Sequence, residues 1–366
     1  MLLAAMITGI ALYYFHNHDK GRVAPTTFSP APTSSTGALN PDVLIMAGSS
    51  AKSFTDHLGN VWSADRYFNG GEEWPVPYRR IFRTTDTQLF LSARQGQDFG
   101  YDIPLKPGNY ELELYFAETF YGDDNTEGGG ESSRMFDVIA NGAPILTNFD
   151  PLSDAGGSNT ADVRVFAGIS PASDGKLHLR FRNHYVLKGV AFVNAIQLTR
   201  TEGKTMLPIR WVAGDSAVED REGWLWVPDQ FVQNGRRRAH RDQAIGTTEP
   251  ELYQSERFGN FSYAIPVASD ATYTLTLYFA EEWFGAPENS DTNGPWVGRR
   301  VFDVYCNGTY LLHDLDIYKE TGGSLKALTK TFHGLRPNHQ GKLVLSFVPN
   351  QDYANLTALE VVPEQQ

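Results

Sequence analysis

Two β-sandwiches in tandem are the fold this sequence predicts, an all-β class. Three observations carry the reading: a domain-sized internal repeat, period-two alternation of apolar residues inside each copy, and no sustained helical period after residue 20. The 366 residues exceed one ordinary domain, and 41% hydrophobic against 20% charged residues is enough for two cores. Thirty-one basic against 43 acidic residues leave a net charge of -12, which argues against a surface for duplex nucleic acid. The single cysteine, Cys306, excludes an intrachain disulfide and any cysteine-rich metal site. Seven Trp, 17 Tyr and 22 Phe suit an aromatic β core or the stacking of flat ligands.

Residues 1–15 (MLLAAMITGIALYYF) are almost unbroken apolar sequence. A full membrane span needs about 20 such residues, and neither a basic leader nor a small-residue cleavage site flanks this run. Lys20 and Arg22 follow it on the side that the positive-inside rule assigns to the cytoplasm, against an exported body. A start upstream of Met1, inside a longer membrane helix, resolves that conflict; a buried amphipathic helix is the plain alternative. Residues 23–41 are rich in Pro, Ser, Thr and Ala without apolar period, as in an extended linker. The expected order is an anchor or signal-like segment (1–19), a linker (20–41), and two domains (42–201 and 202–366). That is the layout of an extracytoplasmic protein tethered to the membrane through its N-terminal segment, or secreted.

The repeat defines the two domains. Trp62-Ser63-Ala64-Asp65 recurs as Trp226-Val227-Pro228-Asp229, and Phe99-Gly100-Tyr101-Asp102-Ile103-Pro104 as Phe261-Ser262-Tyr263-Ala264-Ile265-Pro266. Leu114-Tyr115-Phe116-Ala117-Glu118 recurs as Leu277-Tyr278-Phe279-Ala280-Glu281, and Arg134-Met135-Phe136-Asp137-Val138 as Arg300-Val301-Phe302-Asp303-Val304. Order is kept, with offsets between 162 and 166 residues, far longer than a solenoid unit. Tyr110–Phe116 and Tyr273–Phe279 alternate with period two, as strands with one buried face do. Phe136 to Gly142 reads as a strand entering an Asn-Gly hairpin turn, and Lys176 to Arg182 and Lys342 to Phe347 alternate again behind Gly turns. Short strands with frequent turns indicate sandwiches.

As an ordered set these motifs resemble the malectin family of carbohydrate-binding domains. The second copy carries Trp-x-x-Asp, Leu-Tyr-Gln-Ser-Glu-Arg (252–257), Tyr-Phe-Ala-Glu-Glu-Trp-Phe-Gly (278–285), Arg-Val-Phe-Asp-Val-Tyr-Cys-Asn-Gly (300–308) and Asp-Leu-Asp-Ile (314–317). The first matches through Tyr67 to Gly71, Phe99 to Pro104, Phe116 to Tyr121, Arg134 to Val138 and Asn148-Phe149-Asp150. The resemblance implies jelly-roll sandwiches of the galactose-binding type, without catalytic machinery or cofactor. It implies recognition of glucose-type oligosaccharides by an aromatic loop surface with one carboxylate; bacterial and plant relatives occur in glycan-degrading and cell-wall-sensing proteins.

A sugar site needs exposed rings for pyranose C–H faces beside polar groups for the hydroxyls. Phe120-Tyr121 and Trp283-Phe284 leave a strand into long Gly-rich loops (122–133 and 285–298), where the family has its stacking pair. Phe258 and Asp352 fall on the family's further ring and its sugar-bonding carboxylate, and Trp74 and Tyr78 are candidates for the early aromatic loop of the first copy. Both sites depart from the pattern. Gln95 replaces the ring that Phe258 supplies, and no Asp lies between Asn183 and Asn194. Gly235-Arg236-Arg237-Arg238-Ala239-His240-Arg241 replaces an aromatic loop; such a run is ordinarily solvated, and beside rings it would admit an anionic sugar.

Other chemistry is weaker. Repeated Glu118/Glu281 and Asp137/Asp303 invite comparison with glycosidase carboxylate pairs, but in repeated strand motifs they are expected to satisfy backbone donors. The nine histidines show no metal-ligand spacing, and the acidic loop at 123–127 lacks a calcium ligand ladder. The expectation is therefore non-catalytic glycan binding. A structural or protein-interaction module with degenerate sugar sites is the alternative, and a glycosidase the third reading.

Overall fold

The structure, a computed structural model, describes residues 41–364 apart from 124, 126, 184–188, 202–205, 242 and 288–293. The expected anchor and nearly all of the linker therefore lie outside the described residues. Those residues fall within one compact unit and build two sandwiches, as expected.

In the first, a six-stranded sheet runs in the order Asp162–Ile169, Tyr110–Phe116, Ala195–Arg200, Val43–Met46, Val61–Ser63, Ser53–Thr55. Facing it are Ala143–Phe149, Phe136–Ala140, Lys176–Asn183, Asp98–Pro104 and Phe68–Asn69, with a small sheet of Ala191–Val193, Ser92–Gly96 and Glu72–Pro75. The second sandwich repeats this plan with fewer breaks. Ser255–Pro266 is one strand where the first copy has Ser92–Gly96 and Asp98–Pro104, and Val232–Ala239 stands for Phe68–Asn69 and Glu72–Pro75. Two helices of five residues, Pro151–Ala155 and Ile317–Thr321, are the only α-helices among the described residues.

Period-two alternation puts one set of side chains between the sheets. Tyr110, Leu112, Leu114 and Phe116 fill the first core, and Tyr273, Leu275, Leu277 and Phe279 the second. Phe99 stacks on Phe181 at 4.8 Å and Phe261 on Phe347 at 4.5 Å, so the repeated Phe-x-Tyr motif is a core motif. The repeated Trp-x-x-Asp motif ends in a buried network. Asp65 accepts from Arg94 Nε (2.6 Å), Gly48 N (2.7 Å) and Tyr101 Oη (3.0 Å). Asp229 accepts from Arg257 Nε (2.5 Å) and Nη2 (2.8 Å) and from Tyr263 Oη (2.6 Å). Asn141-Gly142 closes the expected two-residue hairpin with φ of 48° and 84°, and Asn307-Gly308 repeats it at 48° and 79°.

Each helix is started by the Asp of a sequence motif. Asp150 accepts from Leu152 N and Ser153 N, and Asp316 from Lys319 N at 2.9 Å. The same carboxylates reach the long loops: Asp150 takes Ser132 N, and Asp316 takes Gly298 N at 2.6 Å. This ties the end of each Gly-rich loop to a fixed point beside the strand that follows.

Candidate functional site

Glu281 organises the second copy's aromatic turn. Buried at the end of Tyr273–Phe279, it accepts from Trp283 N (3.0 Å) and Phe284 N (2.9 Å) through one oxygen and from Arg300 Nε (2.7 Å) through the other. Glu118 does the same in the first copy, with Phe120 N (2.9 Å), Tyr121 N (3.1 Å) and Arg134 Nε (2.7 Å). Asp137 and Asp303 likewise accept backbone N–H groups, from Asn148 and Asp314 at 2.8 Å each. Asp137 and Asp303 thus tie their hairpins, while Glu118 and Glu281 aim the aromatic pair two and three residues further on.

In the second copy the aimed residues are Trp283, 42% exposed, and Phe284, half-buried. Arg238 lies over Trp283, 4.6 Å from the ring centroid, and 5.8 Å from that of Phe258, bringing two of the predicted rings around one guanidinium. Arg236 also flanks Phe258 at 5.8 Å. Gly235 (φ 72°) lets this strand approach its neighbour; a Cβ there would lie 3.0 Å from Phe261 Cβ. Phe258 packs against Tyr353 at 5.9 Å, and Phe284 against Trp296 at 6.4 Å. Asp352 is exposed at φ 52°, beside Tyr353, whose carbonyl accepts from Arg300 Nη1 at 2.6 Å.

Trp296 and Tyr353 were not singled out by sequence reasoning. Tyr353 adjoins Asp352 and was there to be found, whereas Trp296 sits in a loop with no period. The expectation of a solvated arginine run needs correction at Arg237 and Arg238, whereas Arg236 and Arg241 are exposed. Arg237 is anchored to Gly214 O (2.7 Å) and Asp215 (2.6 Å), and Arg238 lies 2.9 Å from Glu256, because cross-strand register sets both guanidinium groups beside acceptors.

The first copy is sparser. Trp74 meets Phe120 edge-on at 5.8 Å, and Phe120 meets Tyr121 at 5.0 Å. Tyr78, 87% exposed, makes no ring contact with either. Gln95 is buried and donates to Glu72 at 3.0 Å, and the hollow beside Trp74 and Phe120 holds only about 10 Å³.

Close to Trp283, the second copy buries His240 between Glu256 and Glu282. Burial, the largest influence, pulls the imidazole down, yet the two carboxylates outweigh it and raise it to about 9. Burial pushes Glu282 up to about 7. A cavity of about 670 Å³ contains none of the predicted site residues. It lies between the sandwiches and is lined by Glu111, Glu113 and Gln197 on one side and Phe231, Gln233 and Arg237 on the other.

Comparison with known proteins follows the repeat. A family model described as the Malectin domain matches residues 43–195 and again 209–355. Malectin of Danio rerio is 30% identical over 124 residues, covering 30% of this chain and 40% of that protein. The kinesin-like protein KIN-14E of Oryza sativa subsp. japonica is 36% identical over 120 residues, 31% of this chain and 10% of its own length. The chain thus spans less than half the length of either relative. The crystal structure of the plant receptor-like kinase FER has a TM-score of 0.47 at 19% identity, covering 88% of this chain and 96% of that one. The ANX2 ectodomain from Arabidopsis thaliana has a TM-score of 0.47 at 18% identity, covering 88% and 97%.

Proposed function

The chain belongs to the malectin family, with one domain in residues 43–195 and a second in 209–355, and from that premise we propose that it binds an oligosaccharide without transforming it. The two binding units are residues 42–201 and 202–366, and the second carries the stronger site. One observation supports this most: Phe258, Trp283, Phe284, Trp296 and Tyr353 converge on one loop surface with Arg236, Arg238 and the exposed Asp352. Rings offer flat faces to pyranose C–H groups, while the guanidinium groups and the carboxylate bond hydroxyls in opposite senses.

The predicted ligand is a glucose-type glycan, with tolerance for an acidic substituent near Arg236 and Arg238. Trp74, Phe120 and Tyr121 form a weaker platform in the first copy, and two weak sites on one chain gain avidity on a polymer that both can reach. The apolar run 1–15 followed by the Pro/Ser/Thr-rich stretch 23–41 motivates an extracytoplasmic location; tethering by the N-terminal segment is part of the same proposal. Among the described residues no helix is long and apolar enough to cross a membrane.

The first copy's missing ring and carboxylate favour a second reading, a protein-interaction module whose sugar sites have decayed. A glycan array probed with the protein and with its Trp283→Ala/Phe284→Ala variant separates the two. Binding to glucose-type glycans that the variant loses supports the first reading. Well-folded protein that binds no glycan overturns it.

A further inference from the structure

The two copies share strand order and pairing, so their residues can be matched by register. Trp74 pairs with Ala93 where Arg238 pairs with Glu256. Phe192 pairs with Gln95 where Asn355 pairs with Phe258. Val76 N donates to Leu91 O where His240 N donates to Gln254 O, and Thr119 follows Glu118 where Glu282 follows Glu281. At five matched positions Trp, Val, Ala, Thr and Phe of the first copy become Arg238, His240, Glu256, Glu282 and Asn355 of the second. Folding does not require these polar groups, because the first copy builds the same sandwich around a largely apolar patch. Burying them costs free energy unless something compensates.

Their geometry is convergent. His240 Nε2 lies 2.7 Å from Glu282 Oε2 and 3.5 Å from Glu256 Oε1, and the side chains are at most 2% exposed. One donor atom from each of the three falls within 4.8 Å of the others. Despite the short separations, His240 Nε2 and both Glu282 oxygens lack a hydrogen bond of proper alignment, and Asn355 Oδ1 is buried without a partner. The Nδ2 of Asn355 donates to Glu256 Oε2 (2.8 Å) and Ala280 O (2.9 Å), holding that carboxylate in place.

We propose that His240 Nε2, Glu256 and Glu282 form a buried site for a divalent first-row transition-metal ion in the second sandwich. One imidazole nitrogen and two carboxylate oxygens are a donor set for Zn²⁺ or Mn²⁺; calcium, which takes six to eight oxygens, does not fit it. At metal–ligand lengths of about 2.0–2.2 Å tetrahedral donors stand about 3.3–3.6 Å apart; the 3.5 Å His240–Glu256 separation matches, and the 2.7 Å His240–Glu282 pair opens by less than about 1 Å to admit the ion. Arg238, 2.9 Å from Glu256, offsets one carboxylate charge, and a divalent ion bound by neutral imidazole offsets the other. Bound there, it joins the strand carrying Arg238, the strand carrying Phe258 and the turn carrying Trp283. Ring positions in the second copy then depend on it.

The site does not require the sugar-binding reading to hold. The test is calorimetric titration of EDTA-stripped, tag-free full-length protein with ZnCl₂, with bound metal counted by elemental analysis. One zinc per chain is expected, weakened at least about tenfold by Glu282→Gln and by His240→Gln. The paired change Glu256→Ala/Glu282→Thr, which restores first-copy residues, abolishes it. His313→Gln, in the cluster of buried Asp303 with exposed His313 and Asp314, leaves it intact. The zinc-induced rise in melting temperature reads the same site in variants of lower stability. Absence of stoichiometric zinc overturns the proposal, as does zinc that survives Glu282→Gln but not His313→Gln.

Discussion

Asp229 receives three hydrogen bonds from Arg257 and Tyr263 and is 3% exposed. Removing it leaves a buried guanidinium and a buried hydroxyl without their acceptor, which costs more than the pair contributes when intact. Asp229→Ala is expected to destabilise the second sandwich by about 3–5 kcal/mol in urea unfolding followed by Trp fluorescence. Trp283→Ala should behave differently. The ring is 42% exposed, with Arg238 4.6 Å from its centroid, so unfolding should shift by less than about 1 kcal/mol. Glycan affinity should still fall at least about tenfold, since one stacking face is lost. A large stability loss without an affinity loss would place Trp283 in the core rather than the site.

At the scale of single elements, the hairpins beginning at Asn141 and Asn307 are where local sequence dictates conformation most directly. Gly142 and Gly308 have φ of 84° and 79°, and nothing lies within 4 Å of a Cβ built at either. A side chain there meets backbone strain alone. Gly142→Ala and Gly308→Ala should each cost about 1–2 kcal/mol in thermal unfolding, with no change in glycan binding. The strands were legible for a related reason: Tyr110–Phe116 alternates because one face is buried. The short helices were not, since five residues carry no helical period; only the Asp caps at 150 and 316 marked them.

For the molecule as a whole, the two sandwiches bury groups that one alone would leave in water. Lys342 of the second reaches Asp154 Oδ2 (3.1 Å) and Asp162 of the first, and Gln340 Nε2 donates to Ser153 O at 2.9 Å. Glu111 and Glu113 face the cavity between the sandwiches. Burial first, and then the neighbouring charge of Glu113, raise Glu111 to about 8; burial raises Glu113 to about 7, against an ordinary 4.5. Each binds its proton more tightly folded than unfolded. Their stabilising protonation is complete below about pH 4.5 and is lost as pH rises through 7 to 8. Urea midpoints compared at pH 5 and pH 8.5 should differ less in Glu111→Gln than in the parent. An unchanged difference would show that these carboxylates ionise freely in the cavity.

The sequence by itself determined the tandem all-β architecture, the strand faces, the hairpin turns and the family, because each depends on neighbours near in the chain or on a repeat visible within it. The aromatic pairs Phe120-Tyr121 and Trp283-Phe284 were legible too, since each follows a strand end marked by its own motif. Tertiary structure decided which side chains meet. Arg238 with Trp283, His240 with Glu256 and Glu282, and Asn355 in the place of Phe192 are brought together by cross-strand register. Their sequence separations form no pattern, because pairing sets contacts between strands whose spacing along the chain is free to vary.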